Sequence, residues 1–159
     1  MEQVKGGVTA AKGFLAASVA AEIKYKDRED MAMIYSRFPC RAEGTFTTNV
    51  VKAAPVIWDK EIVTKSEYAQ AVAINSGIAN ACTGEKGYSY CSQTAKKAAD
   101  VLQIPEQAVL VASTGVIGMN LPMERIVNGI EMMAPKLQDS KEAGYLAARA
   151  IMTTDTHEK

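Results

Sequence analysis

"VLVASTGVIG", residues 109–118, begins as a hydrophobic strand, breaks at Ser113-Thr114-Gly115, and then resumes with apolar residues. A strand that ends on two hydroxyls and a glycine has two readings. The simpler is a tight turn. The more specific is a place where backbone N–H groups are turned toward a ligand or a developing negative charge. In both, a short buried strand stands among helical segments, which points to a layered α/β domain. Upstream, Cys91, Ala95, Ala98 and Leu102 recur at helical spacing over 89–102, and Pro105 limits that helix. Downstream, Pro122 suits a first turn, and Met123, Ile126, Val127, Ile130 and Met133 form the stripe of a second helix that runs up to Pro135. Asp139 or Ser140 can cap a third helix carrying Ala143, Leu146, Ala147, Ala150 and Ile151.

Further from this stretch, "DMAMIYSRFPC" (30–40) and "YAQAVAINSG" (68–77) read as strands, the second stopping at Asn75-Ser76-Gly77. "AEGTFTTNVVKAAPVIW" (42–58) is rich in β-branched and aromatic residues and is expected to be extended, with Pro55 marking an edge or a bend. There is no internal repeat, low-complexity tract or linker, so residues 1–159 are expected to form one domain.

Hydrophobic residues make up 48% of the 159 and charged residues 23%, a balance that argues against disorder. Eighteen basic side chains oppose eighteen acidic ones, so no net field favours nucleic acid or an anionic membrane. No apolar run approaches the roughly 18–20 residues that span a bilayer. The opening MEQVKGGVTAAKGF has no signal-peptide core, which makes the cytoplasm the default location. Cys40, Cys82 and Cys91 lack CxxC spacing, and the only histidine is His157. No zinc site, disulfide framework or convincing Cys–His pair follows, and the cysteines are expected to be small buried hydrophobes. "ACTGEKGYS" (81–89) lacks the spacing of a phosphate-binding loop.

Three segments place hydroxyl or amide side chains together, two of them beside a glycine: Thr47-Thr48-Asn49, Asn75-Ser76-Gly77 and Ser113-Thr114-Gly115. At adjacent strand ends they would form a shared pocket of N–H and O–H donors, the requirement for holding a tetrahedral oxyanion. "TTDT" (153–156) adds small polar residues that are either a frayed helix end or donors to a carboxylate or amide substrate. No pair of inward carboxylates and no Ser-His-Asp set can be assembled. The chain supplies donors without a base or a nucleophile, which is half of an active site.

The segments "GGVTAAKGF" (6–14), "FTTNVVKAAPV" (46–56), "NSGIANACTGEKG" (75–87), "VLVASTGVIGMNLPM" (109–123) and "AIMTTDT" (150–156) together resemble the ornithine acetyltransferases, or glutamate N-acetyltransferases. The resemblance follows the family's order over nearly the whole chain. It implies an α-β-β-α sandwich like that of the β-peptidyl aminopeptidases, and a precursor that cleaves itself into α and β chains. The new N-terminal threonine of the β chain is then the nucleophile, carrying acetyl from N-acetylornithine to glutamate by a ping-pong route. Acetyl-CoA is a second donor in some members, and no bound cofactor is implied. On this sequence the implied oxyanion pair falls on Thr114 and Gly115, and a substrate contact falls on Thr153 or Thr154.

The family commonly has Asn where this chain has Ile78. The family's self-cleavage segment has no counterpart in the 159 residues, so the resemblance implies an α-chain portion. That portion would be inactive alone, self-associating, and completed by a β chain in an (αβ)n hetero-oligomer. A different class of outcome is a catalytically inactive binding or structural domain that keeps the fold. A related N-terminal-nucleophile amidase is a third.

Overall fold

The computed structural model describes residues 6–66 and 68–158. Its strands are β1 (Phe14–Val19), β2 (Met31–Cys40), β3 (Ala69–Asn75) and β4 (Val109–Ser113), and its helices are α1 (Ala54–Lys65), α2 (Gly84–Leu102), α3 (Met123–Met133) and α4 (Lys141–Ala150). The strands form one four-stranded sheet in the order β1-β2-β3-β4. β1, β2 and β3 pair antiparallel. β4 runs parallel to β3 because α2 carries the chain back across the sheet between them. The two strands therefore end on the same side, at Asn75 and Ser113.

β3 alternates strictly: Ala69, Ala71, Ala73 and Asn75 are buried, and the residues between them are half-buried. Alanines on the buried face let α2 approach the sheet closely through Cys91, Ala95 and Ala98, all 0% exposed. Under α3 the space is filled instead by Met31, Met33, Ile126, Ile130 and Met133. α4 lies against the opposite face, where Ala143, Ala147 and Ala150 pack on Ala16 and Ala32. The result is a sheet with helices on both sides, the α/β class that the strand and helix pattern predicts. Ser140 caps α4, its hydroxyl accepting the Ala143 N–H.

Residues 42–58 do not form the expected strand. The segment up to Ala53 is irregular, and α1 begins at Ala54 with Pro55 in its first turn. Proline fits there because its fixed φ is already helical and the missing N–H would have had no partner. Trp58 and Ile62, one turn apart, then supply the buried face. The β-branched residues that suggested a strand have nothing to pack on, since Val50 and Val51 are 96% and 77% exposed. β1 was not apparent in the sequence, because "FLAASV" mixes large and small residues without a clear period. α2 also starts at Gly84, before the first residue of its recognisable stripe.

α1 also shields the free edge of β4. The Trp58 indole N–H donates to the Val109 carbonyl (3.0 Å), and the Asp59 carboxylate accepts the Val111 N–H (2.9 Å). An edge strand occupied in this way cannot recruit another chain. Burial pushes the Asp59 carboxyl up to about 6, against the lowering effect of the Val111 N–H. A carboxyl raised in the fold favours folding below its unfolded value, and that contribution is lost as pH rises through about 6. Asp59→Asn keeps the acceptor and removes the charge. We expect it to raise unfolding stability at pH 7.5 by about 1 kcal/mol, less than the full shift because the group is partly solvated. It should also flatten the rise in stability of the parent chain between pH 7 and pH 4. Urea midpoints across that range provide the check, and an unchanged pH profile in the variant would contradict it.

A candidate oxyanion site at the ends of two parallel strands

In open α/β sheets, ligands collect beyond the carboxyl ends of parallel strands, where the following turns expose backbone groups. β3 and β4 provide such an edge, and the turns after them are bound to each other. The Ser113 hydroxyl donates to Asn75 Oδ1 (2.6 Å), and Asn75 Nδ2 donates to the Ile78 carbonyl (2.9 Å). Main-chain bonds continue the ladder past the strands: Thr114 N–H to Asn75 O (3.0 Å), Val116 N–H to Gly77 O (3.1 Å) and Ala79 N–H to Val116 O (2.9 Å). Ile78 and Val116 form an isolated parallel bridge.

Gly115 lies where the two turns touch. Its φ is +134°, and a Cβ built there would stand 2.3 Å from the Gly77 carbonyl carbon and 2.4 Å from its oxygen. Glycine is required both by its backbone angle and by this contact. The N–H groups of Thr114 and Val116 are bonded to the β3 turn, and that of Gly115 makes no such bond. Among the described residues, neither the Gly115 N–H nor the Thr114 hydroxyl has a hydrogen-bond partner. Both residues are half-buried. Two adjacent donors held on a rigid frame can bind an oxyanion without reorganising, which is the requirement for stabilising a tetrahedral intermediate.

The structure treats the other sequence candidates differently. Asn75 and Ser76 are 5% and 1% exposed, with side chains engaged inside the protein, so they build the frame and do not offer donors to a pocket. Gly77 has φ +97° and supplies the carbonyl that Val116 grips. Thr47-Thr48-Asn49 is not at a strand end. It is an exposed loop in which the Thr47 hydroxyl accepts the Asn49 N–H (3.2 Å). Thr153 is half-buried and lines a cleft of about 470 Å³ with Arg28, Glu29, Arg149, Met152 and Asp155, whereas Thr154 is exposed. Ile78 is 4% exposed and belongs to the core, so its side chain does not face a ligand.

The expectation of buried cysteines holds for Cys91 alone, since Cys40 is half-buried and Cys82 is exposed in a left-handed turn (φ +56°). Burial pushes the Cys91 thiol up to about 12, with Asp59 adding to the rise, so this sulfur stays protonated. Among the described residues no three His, Cys, Asp or Glu side chains converge as a metal site, and no helix is long and apolar enough to cross a membrane.

The sequence reading missed Asp30. It is 0% exposed, and its carboxylate accepts the N–H groups of Ala21 (2.8 Å) and Ile23 (2.5 Å), while its carbonyl accepts the Ser76 N–H (2.8 Å). An acid that ends the charged run Lys24–Asp30 carries no periodic signal, and only its partners reveal the role.

Fold and turn together describe an α/β protein whose turn after β4 carries two donors without a partner among the described residues, the Thr114 hydroxyl and the Gly115 N–H. The ArgJ family model matches residues 15–159, and the chain belongs to this family. It is 55% identical over 156 residues to an arginine biosynthesis bifunctional protein ArgJ of Caldanaerobacter subterraneus, covering 98% of this chain and 38% of that protein. The crystal structure of the ArgJ protein from Bacillus halodurans superposes with a TM-score of 0.92 at 38% identity, covering 99% of this chain and 81% of the other. An ornithine acetyltransferase from Mycobacterium tuberculosis, solved in complex with ornithine, gives a TM-score of 0.91 at 41% identity, covering 96% of this chain and 81% of that one. The chain thus spans well under half the length of the relative from Caldanaerobacter.

Proposed function

We propose that this chain supplies the oxyanion-binding part of an enzyme that transfers acetyl from N-acetylornithine to glutamate in arginine biosynthesis. The observation that carries the reading is the pair of unpartnered donors on consecutive residues, the Thr114 hydroxyl and the Gly115 N–H, in the turn that the β3–β4 clamp holds. The names of its relatives, which include an ornithine acetyltransferase bound to ornithine, support the choice of substrates.

In this reading a complementary β chain presents an N-terminal threonine. Its hydroxyl attacks the acetamide carbonyl of N-acetylornithine, and its own α-amine accepts the proton, so no histidine is needed. The carbonyl oxygen becomes an oxyanion, held by Thr114 and Gly115, until the C–N bond breaks and ornithine leaves with a proton. The glutamate amine then attacks the acetyl ester through a second oxyanion at the same donors and gives up a proton to the threonine's α-amine. N-acetylglutamate departs as the C–O bond breaks and the threonine oxygen takes that proton back. Thr153 or Thr154 holds the substrate's polar end. Acetyl-CoA, where it is used, enters as an alternative acetyl donor in the first half-reaction. The working unit is an (αβ)n hetero-oligomer in the cytoplasm.

The test is acetyl transfer measured for this chain alone and after mixing with a separately made complementary chain beginning at the expected threonine. Activity only in the mixture supports the reading. Turnover by the 159 residues alone would overturn it, and so would silence in a mixture whose chains demonstrably associate.

Completion by a second chain also has a physical motive. Beyond the area covered by α4, the sheet presents Ile34, Val72 and Leu110 only half-buried, next to a groove that also includes Phe14. Val50 and Val51, lining a groove with Ile57 and Tyr88, are 96% and 77% exposed, and Ile117 in the donor turn is 62% exposed. Exposed apolar surface of this kind drives association. We expect the chain alone to elute as concentration-dependent oligomers in size-exclusion chromatography, and a sharp monomer at high concentration would contradict this.

A further inference from the structure

Ser76 joins three segments that lie far apart in the chain. Its N–H donates to the Asp30 carbonyl at the head of β2 (2.8 Å), and its hydroxyl donates to the Ala150 carbonyl at the end of α4 (2.6 Å). On either side of it, the carbonyls of Asn75 and Gly77 receive the N–H groups of Thr114 and Val116. The neighbours of Ser76 therefore grip the donor turn through the main chain, while its side chain grips the last turn of α4. The Ala150 carbonyl is among those that a helix end leaves without an internal partner. From there the chain passes directly into Met152, Thr153 and Thr154, and a second tether, Arg28 Nη2 to the Met152 carbonyl (2.5 Å), holds the same segment. With Ser76 only 1% exposed, water does not compete for its hydroxyl.

We infer that Ser76 is a positioning residue whose hydroxyl sets the spacing between the Thr114–Gly115 donors and the Thr153–Thr154 pair. The inference rests on the acetyl-transfer reading for its kinetic consequence and on geometry alone for the tether. Ser76→Ala keeps the N–H bond to Asp30 and the main-chain clamp. It removes the hydroxyl's short bond to Ala150 with its long contact (3.5 Å) to the same Asp30 carbonyl, so the donor turn stays in place and the α4 end is released.

Two measurements test it. Hydrogen exchange on this chain should show the 151–154 amides of Ser76→Ala exchanging at least tenfold faster than in the parent, with 109–118 unchanged. Unchanged 151–154 exchange overturns the tether whatever the chain's activity. In the complete acetyl-transferring assembly, KM for N-acetylornithine should rise about tenfold with kcat within twofold. A hydroxyl with a purely structural role would lower thermal stability and leave KM unmoved, and that result overturns the positioning role. Arg28→Ala, which cuts the second tether without entering the buried frame, should speed exchange of the 151–154 amides in the same direction, and that exchange serves as the test if Ser76→Ala does not fold: unchanged exchange overturns the tether. An assembly with no acetyl transfer in the parent form tells against the functional reading, and the exchange result still decides the tether.

Discussion

Gly115→Ala is expected to destabilise the chain by about 3–5 kcal/mol and to abolish acetyl transfer in the completed enzyme. Two effects combine. At φ +134° an L side chain is strained, at a cost of order 1–3 kcal/mol. The new Cβ would also stand 2.3 Å from the Gly77 carbonyl carbon and 2.7 Å from the Ile78 nitrogen, backbone atoms that cannot rotate aside. The two turns must separate, which endangers the bonds Thr114 N–H to Asn75 O and Val116 N–H to Gly77 O, at about 1 kcal/mol each. Such a loss is a large fraction of the roughly 5–15 kcal/mol of a typical domain. Gly118→Ala is the control. Gly118 also has a positive φ (+82°), but nothing lies within 4 Å of its Cβ position, so only the backbone term of about 1 kcal/mol applies. Equal urea midpoints for the two variants would refute the close-approach argument.

Thr114→Ala is the complementary case, with a large catalytic effect and almost no structural one. Its hydroxyl has no partner among the described residues, so removing it leaves no buried group unsatisfied. The N–H that clamps Asn75 is unaffected by side-chain changes. Stability should move by no more than about 0.5 kcal/mol. Loss of one oxyanion donor costs about 2.7–4 kcal/mol of transition-state stabilisation, so kcat in the assembled enzyme should fall by about 10²–10³ with KM little changed. Thr114→Ser keeps the hydroxyl and should recover most of the rate. An unchanged kcat in the alanine variant would remove this hydroxyl from the oxyanion site.

Much of the architecture was legible because it is locally encoded. The stripe on α3, a cap of α4 at Asp139 or Ser140, the apolar run of β3 and the break after β4 are written in residues a few positions apart. The donor turn was legible for the same reason, as a strand that stops on Ser113-Thr114-Gly115. Where local signals conflict, the sequence misleads. Residues 42–58 have strand composition, but Val50 and Val51 found no sheet to join, and Pro55 with Trp58 and Ile62 made a helix instead.

By itself, then, the sequence determined the α/β class, three of the four strands and three of the four helices among the described residues, and the position of a donor-rich turn. Its motifs also pointed to the family that the comparisons establish. Only the tertiary structure decided which polar residues remain available. Asn75, Ser76 and Thr114 look alike in sequence. Contacts with Ser113, with Ala150 and with Asp30 occupy the first two, and Thr114 keeps a free hydroxyl. The physical reason is that a hydrogen bond is settled by which groups meet in space. Ser76 and Ala150 are 74 residues apart, and no local pattern can report a bond between them.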